Sequence, residues 1–407
     1  MNKLDVAVIG GGAAGFFSAI AAKENFPEAN VVIFEKSQKL LAKVKVSGGG
    51  RCNVTNGCAS ISELIKAYPR GGKSLKRPFQ IFNTKHTIEW FESRGVPLKI
   101  EDDNRVFPVS NSSQSIVDCI LNESNRLNVG IELGVTIKGI KQVDGKIELQ
   151  FVKPEHEPRI FDKVIIATGG SPKSEGLTWL EKINHKIEKP VPSLFTFNVP
   201  NSPITKLMGI AVENTLVNIQ GTKLKSSGPL LITHWGMSGP AILKLSSFGA
   251  RELSGKGYQF KVQVNWVNET NNDVVLSLLK KIVQEHPKKL ISNIRPYSLS
   301  ERLWLYFLNK ATIPLEKKWH ELSKKSLNKL VSLLTNDIYE VKGNTTFKEE
   351  FVTCGGISLQ SIDLNTMQSE VYKNLYFAGE IMDIDAITGG YNFQAAWTTG
   401  FIAGKLA

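Results

Sequence analysis

The sequence predicts an α/β fold interrupted by an insert of different texture, and three observations carry that prediction. A short β-branched run, Val6-Ala7-Val8-Ile9, leads through a glycine turn into an alanine-rich, proline-free stretch (13–23), then into a second apolar run, Val31-Val32-Ile33-Phe34. Buried parallel strands read as continuous apolar runs, so this is one βαβ unit of about 30 residues. Two further runs, 161–168 and Leu375-Tyr376-Phe377-Ala378, end in glycines, and the second is followed by an apolar helical stretch to the C-terminus. Between them, from Pro190, prolines cluster at 190, 192, 200 and 203, and β-like runs then give way to helical periodicity. One α/β domain built from both chain ends, with an insert, accounts for this order.

Residues 43–60 are glycine-rich and polar and read as a loop. Residues 75–130 read as mostly helical, with turns around Arg94-Gly95-Val96-Pro97. Residues 134–151 alternate, with a hairpin turn at Val143-Asp144-Gly145-Lys146. In the insert, 194–199, 216–219, 230–233 and 258–264 read as strands and 272–340 as helical. The expected division is 1–190 with 360–407 as the α/β domain, 191–271 with 341–359 as a β-rich, barrel-like domain, and 272–340 as a basic helical subdomain.

Composition bounds the function. A chain of 407 residues suggests two or three domains, and 42% hydrophobic with 22% charged residues excludes a disordered or fibrous chain. No run of 18 apolar residues predicts a membrane helix. The opening residues enter a strand without the basic and apolar regions of a leader, which predicts a cytoplasmic protein. Four cysteines make no disulfide scaffold. The net charge of +12 is concentrated: residues 280–329 hold 12 Lys/Arg against four Asp/Glu, a net of +8.

The chemistry sits at the glycines. Gly10-Gly11-Gly12-Ala13-Ala14-Gly15 follows a strand and opens a helix, and Glu35 ends the next strand 20 residues beyond Gly15. In that setting Gly10 makes the tight turn, Gly12 admits a pyrophosphate, and Gly15 lets helix and strand pack. Free N–H groups of the helix N-terminus face the phosphates. Glu35 accepts both ribose hydroxyls and repels a 2′-phosphate. Ser47-Gly48-Gly49-Gly50-Arg51-Cys52-Asn53 makes sense where backbone lies against a ligand, Arg51 supplying a cation and Asn53 a donor and acceptor. Ala167-Thr168-Gly169-Gly170 is a second close-approach point. Thr388-Gly389-Gly390-Tyr391-Asn392 precedes the last helix, whose N-terminus would stabilise negative charge on a reduced flavin ring.

The blocks at 8–20, 34–36, 45–56, 167–170, 228–243, 351–359 and 377–400 together resemble the BaiN/aminoacetone-oxidase-like family of FAD-dependent oxidoreductases. The resemblance implies tightly bound FAD in a glutathione-reductase-like domain, with an inserted β-barrel and a helical subdomain. It places Gly10, Gly12, Ala13, Ala14 and Gly15 at the pyrophosphate, and Glu35 with Lys36 at the adenosine ribose. Ser47, Gly48, Gly49, Gly50, Arg51, Cys52 and Asn53 line the middle of the FAD and the flavin. Val135 lies in a strand presenting backbone to adenine, and Ala167, Thr168 and Gly169 border the cofactor. Gly379 and Glu380 hold the ribityl and pyrophosphate, and Gly390, Tyr391, Asn392 and Phe393 face the isoalloxazine. Small amines such as aminoacetone, or enone-type steroid and lipid-like compounds, are the substrates it offers.

No catalytic residue stands out. His234, in Thr233-His234-Trp235-Gly236-Met237-Ser238, is a candidate proton donor, with Ser238 beside it. Cys52 and Tyr391 are further candidates, each with a packing or backbone role as the plainer reading. Cys52 and Cys58 are too far apart for a disulfide-reductase pair, and no residues have metal-ligand spacing. No second glycine fingerprint serves a pyridine nucleotide, so NAD(P)H, if used, enters transiently over the flavin; dioxygen is the other possible partner. Two rivals are a flavin-dependent RNA-modifying enzyme using the basic helical insert, and a non-catalytic redox sensor holding FAD. The oligomeric state is not legible.

Overall fold

The structure, a computed structural model, describes residues 3–153, 156–345 and 352–407. Phe351, at the head of the 351–359 block, lies outside them. The chain forms two compact units, Met1–Ser193 with Phe347–Ala407, and Leu194–Thr346.

The first unit is built on five parallel strands, β1 (Asp5–Ile9), β2 (Asn30–Glu35), β3 (Gly130–Leu133), β4 (Lys163–Ile166) and β5 (Leu375–Phe377). Their order across the sheet is β3-β2-β1-β4-β5, extended beyond β5 by the short antiparallel strands Gln368–Ser369 and Ile362–Asp363. Val8 lies opposite Ile33 on one side and Ile165 on the other. Val6, Ala7, Val8, Ile165 and Ile166 are fully buried, as continuous apolar strands covered on both faces require. This is the strand order of a Rossmann half, and its direction reverses between β1 and β4, where such sheets open a crevice at their C-terminal ends.

Three helices matter for that crevice: α1 (Ala13–Asn25), α2 (Ala42–Gly50) and α3 (Tyr391–Ala403). A Cβ on Gly400 would come within 2.6 Å of the Ala14 carbonyl oxygen, and one on Gly404 would run into that of Ser18. The two glycines therefore let α3 lie directly on the backbone of α1. Because 400 pairs with 14 and 404 with 18, the helices run parallel. Tyr391 starts eight residues ahead of the point level with Ala13, which sets the two N-termini about 12 Å apart along the axis.

The first unit departs from expectation in four places. Residues 43–60 are not all loop: α2 is regular up to the glycines, where Ser47 turns extended (ψ 153°) and Gly48 and Gly49 turn left-handed (φ 59° and 68°). Residues 75–130 include a hairpin, Leu98–Ile100 with Arg105–Pro108, turned by Asn104 at φ 64°. The run 161–168 is two strands, because Asp162 breaks away to accept the Asp5 N–H at 2.8 Å. Thr353–Ile357, expected in the insert, pairs with Ile187–Pro192 within this unit. The Asp144-Gly145 hairpin turn forms as expected, both residues at positive φ.

The second unit carries seven antiparallel strands in the order Asp337–Lys342, Gln259–Asn265, Ala211–Ile219, Lys225–Ile232, Gly236–Ser238, Thr196–Asn198, Asn344–Thr345. The first and last of these are one segment bent at Gly343 (φ 97°), so the sheet closes on itself as a barrel. Helices Asn272–Glu285, Glu301–Ala311 and Lys324–Thr335 share its core: Trp266, Leu279, Trp304, Phe307 and Leu330 are fully buried in one cluster. Barrel and helices are thus one unit, not the two the sequence suggested. Residues 337–340, expected as helix, belong to the strand Asp337–Lys342.

The α1–α3 contact makes a direct test. Gly400→Val forces a side chain against α1 backbone and should destabilise the first unit by about 3 kcal/mol. Gly255→Ala, at a site with open space and an ordinary φ, should be neutral or slightly stabilising. Thermal melts of the two variants check this; equal melting temperatures would refute the packing argument.

Candidate functional site

The crevice is assembled from glycine turns. The Gly10 N–H donates to the Phe34 carbonyl at 2.8 Å, tying the turn to β2. Gly10 has φ 115°, and a Cβ there would strike the Ala167 backbone. Gly12 is the N-cap of α1, with ordinary extended backbone and no side-chain cap, and the first turn carries no acid. A Cβ on Gly12 would meet nothing within 4 Å. Its open space and the uncapped N–H groups of Ala13 and Ala14 form an anion cradle. Glu35 is fixed at its rim: one carboxylate oxygen accepts the Gly11 N–H at 2.7 Å and the other the Ser37 N–H at 2.8 Å. Each oxygen keeps a lone pair for a ribose hydroxyl. Lys36 is exposed.

At the end of α2, Gly49 and Gly50 (φ 84°) also face open space. Arg51 pairs with Glu101 at 2.7 Å and lies 3.9 Å over the Phe107 ring, so its charge is already engaged. Cys52 is fully buried at φ 61°. Burial pushes its thiol up to about 12, against a hydrogen bond to Ser47 that lowers it. That is a packing residue, not a nucleophile at neutral pH.

This block is clipped to the start of α3. Asn53, its amide turned to suit both neighbours, donates to the Thr55 carbonyl and accepts the Gly390 N–H, each at 3.0 Å. Asn56 donates to the Gly389 carbonyl at 3.1 Å, and the Trp397 indole donates to the Val54 carbonyl at 2.9 Å. Gln394, fully buried, accepts from the Thr55 and Thr87 hydroxyls at 2.6 and 2.9 Å. Gly390 is left-handed (φ 87°), and α3, like α1, starts with no side-chain cap and no acid. Asn392 turns its side chain back to bind Ala386 at both N–H (2.9 Å) and carbonyl (3.0 Å). The Tyr391 carbonyl accepts from the Tyr68 hydroxyl at 2.6 Å, and burial raises both phenols above their ordinary value. Phe393 stacks on Trp397 at 5.6 Å.

At the other wall, the Ala167 N–H donates to Ile9 at 2.8 Å, Thr168 is exposed, and Gly169 (φ 74°) faces open space. A Cβ on Gly379 would lie 2.8 Å from Ala14 Cβ. Both Glu380 carboxylate oxygens are in use, one by the Thr353 N–H at 2.8 Å and one by the Lys43 ammonium at 2.8 Å. Next to this wall the Thr353 hydroxyl is buried without a hydrogen-bond partner among the described residues.

One expectation needs correction. Val135 lies past the end of β3, not in a strand: β2 and β3 end together at the Glu35–Leu133 pair, and the Val135 N–H is spent on the Glu35 carbonyl at 3.0 Å. His234 and Ser238 lie in the second unit, His234 exposed at the bend before Gly236–Ser238. Cys354 is fully buried in its strand.

Sequence reading missed Lys43, Tyr68, Thr353 and Gln394. It also missed a buried ion pair: Arg70 binds both carboxylate oxygens of the fully buried Asp385, and Ser193 donates to the same carboxylate. Burial pushes the Asp385 carboxyl above its ordinary value, with Arg70 opposing it. Only Gln394 was signalled, as a polar residue inside an apolar helix. Among the described residues no metal-binding cluster occurs, and no helix is long and apolar enough to cross a membrane.

The residues present fit an FAD. The uncapped helices supply two N–H termini, Gly12, Gly49, Gly50 and Gly169 leave room for it, and an orphan hydroxyl stands at its wall. Comparison with known proteins agrees. The HI0933-like protein Rossmann domain family matches residues 4–406. A 3-dehydro-bile acid delta(4,6)-reductase from Clostridium scindens is 26% identical, over 100% of this chain and 99% of its own. A ribosomal RNA dihydrouridine synthase from Escherichia coli is 27% identical, over 98% of this chain and 97% of its own. In structure the chain is similar to a 3-ketosteroid delta1-dehydrogenase from Sterolibacterium denitrificans, with a TM-score of 0.53, 12% identity and 99% of each chain covered. The chain therefore belongs to the HI0933-like Rossmann family and is an FAD-dependent oxidoreductase.

Proposed function

We propose that FAD is held with its pyrophosphate at the N-terminus of α1, its adenosine ribose at Glu35 and its ring system at the N-terminus of α3, and that the chain reduces a carbon–carbon double bond conjugated to a carbonyl. The observation that carries this reading is the pair of parallel, uncapped helices whose N-termini are offset by about 12 Å along the axis. When bound, FAD supplies hydride transfer. The chain's own residues do the rest. The first-turn N–H groups of α1 hold the phosphate charge. Asn53 and Asn56 hold Gly389 and Gly390, so that α3 presents its N–H groups and positive partial charge to a ring that becomes negative on reduction.

The substrate class rests on the relatives. A delta(4,6)-reductase and a dihydrouridine synthase are both named for adding hydrogen across a ring double bond. NAD(P)H is the electron donor in this reading and arrives transiently, as no second glycine fingerprint serves it. A uracil base in RNA is the second reading. Its support is the net +8 of residues 280–329, whose cations, Lys280, Lys288, Lys318 and Lys325 among them, are mostly exposed. Trp304, Phe307 and Trp319 in that segment are buried, so ion pairing with phosphate rather than base stacking would carry RNA affinity.

The purified protein should show oxidised flavin bands that NADH or NADPH bleaches without air, and a conjugated enone should restore them. Persistent bands would point to an oxidase reduced by its own substrate, with amines the first to try. If RNA is the substrate, RNA affinity should fall steeply with salt, and reversing Lys317, Lys318, Lys324 and Lys325 to Glu should flatten that slope by up to about 0.7 for each lysine that neutralises a phosphate. Unchanged binding would remove the second reading.

Gly12→Val puts its Cβ where no protein atom lies within 4 Å and extends its two methyl groups into the cradle. FAD affinity should fall at least about 100-fold, roughly 2.8 kcal/mol, while the flavin-free protein melts at its usual temperature. Undiminished affinity would sink the placement.

Thiol chemistry has no part in this reading. Iodoacetamide at pH 8 should label Cys58, the one partly exposed cysteine among the described residues, and leave Cys52 untouched until unfolding. Because the folded value of Cys52 lies above its unfolded one, the stability this thiol contributes is complete at neutral pH and is lost as pH rises toward about 12. Native labelling of Cys52 would reopen a redox role.

A further inference from the structure

We propose that the Thr353 hydroxyl is a cofactor ligand, donating to an oxygen of the ribityl–pyrophosphate chain of FAD. The proposal rests on the FAD placement above and adds a residue of the 351–359 block, to which no role had fallen.

Thr353 is 1% exposed, and its Oγ1 has no hydrogen-bond partner among the described residues. Every other buried threonine among them, Thr55, Thr87, Thr215 and Thr398 for example, does have one. A buried hydroxyl left unpaired is destabilising, so one that persists calls for a partner the protein itself does not supply.

Its position says which partner. A Cβ on Gly170 would come within 2.6 Å of Thr353 Oγ1 and 2.7 Å of Glu380 Oε1, so hydroxyl and carboxylate both lie against the glycine pair that ends β4. Gly169, the first of that pair, faces open space. Gly379, next to Glu380, packs against Ala14 in the first turn of α1. The hydroxyl thus lies at Gly170 beside Glu380, whose neighbour Gly379 touches α1, on the wall along which the proposed placement runs the linking chain of an FAD. Glu380 acts there as a bracket. With one oxygen on the Thr353 N–H and the other on Lys43, it fixes the threonine backbone, and the β-branched side chain has few rotamers left. What remains to meet the cofactor is the hydroxyl, a neutral donor suited to a phosphate or ribityl oxygen.

This assignment makes two effects of opposite sign. Thr353→Val keeps the shape and removes the hydroxyl. In flavin-stripped protein it deletes an unsatisfied group, so the melting temperature should hold or rise. On titration with FAD the dissociation constant should increase about tenfold, the loss expected of one hydrogen bond to a polar or charged oxygen. Thr353→Ser should keep near wild-type affinity, and Thr353→Ala serves if the valine variant does not fold. A purely structural threonine would lower the flavin-free melting temperature and leave the affinity of the folded fraction alone, and either result overturns the proposal. If Thr353→Val binds FAD like wild type while Gly12→Val does not, the cofactor placement stands and Thr353 is no ligand. If neither variant loses affinity, the placement itself has failed.

Discussion

The direct contact of two helix backbones underlies the rest of the first unit. Gly400 and Gly404 let α3 rest on α1 with nothing but main chain between them at Ala14 and Ser18. That contact fixes direction and register together. Parallel helices have parallel dipoles, so the two positive ends point the same way, and the register sets the spacing between them. A larger residue at either glycine would have to tilt or slide α3, and each tilt would move one N-terminus relative to the other. The offset is therefore stored in packing, not in the loops at the helix starts.

The loops are then fastened to that frame. Neither α1 nor α3 has a side-chain cap, which leaves their first N–H groups unsatisfied from within. Natural helices usually spend a Ser, Thr, Asp or Asn there. Here the asparagines sit one step removed: Asn53 and Asn56 hold the glycines before α3, and Asn392 holds Ala386. The backbone around the helix start is rigid while its N–H groups remain available. Gln394, buried among Thr55, Thr87 and Thr398, joins α3 to the segment after the triple-glycine block, its oxygen accepting twice and its amide nitrogen donating to Thr398. Each such bond contributes about 1 kcal/mol net, and together they over-determine the turn.

Much of this was legible because its signals are local. The βαβ unit, the glycine fingerprint and the last helix announce themselves within windows of a dozen residues, and the strands reappear where continuous apolar runs place them. The missed features are long-range. Lys43 meets Glu380 across 337 residues, Arg70 meets Asp385 across 315, and Tyr68 reaches Tyr391 across 323. No period or propensity encodes such pairs. The start of α2 was hidden because three glycines just after it outweigh a short Ala-Lys-Val-Lys-Val turn in any composition count. The hairpin 98–108 was hidden because its strands are only three and four residues long. Val135 failed for a different reason. β2 and β3 end together at the Glu35–Leu133 pair, and where that pairing stops is not contained in a single strand's sequence.

The acids around the crevice complete the electrostatic argument. A diphosphate bearing negative charge should be repelled by carboxylates, yet Glu35 and Glu380 both stand beside its proposed path. Each is answered by donors of its own. Glu35 takes the N–H groups of Gly11 and Ser37, and Glu380 takes Lys43 and the Thr353 N–H. Hydrogen bonds to both oxygens spread the charge and hold each carboxylate in one orientation. The phosphate-facing surface is left to Gly12 and the uncapped turn of α1, where no acid occurs. In the proposed placement negative side chains thus act as fixed acceptors at the edges of the site, and backbone N–H groups of α1 meet the anion at its centre, with the Thr353 hydroxyl beside the linking chain.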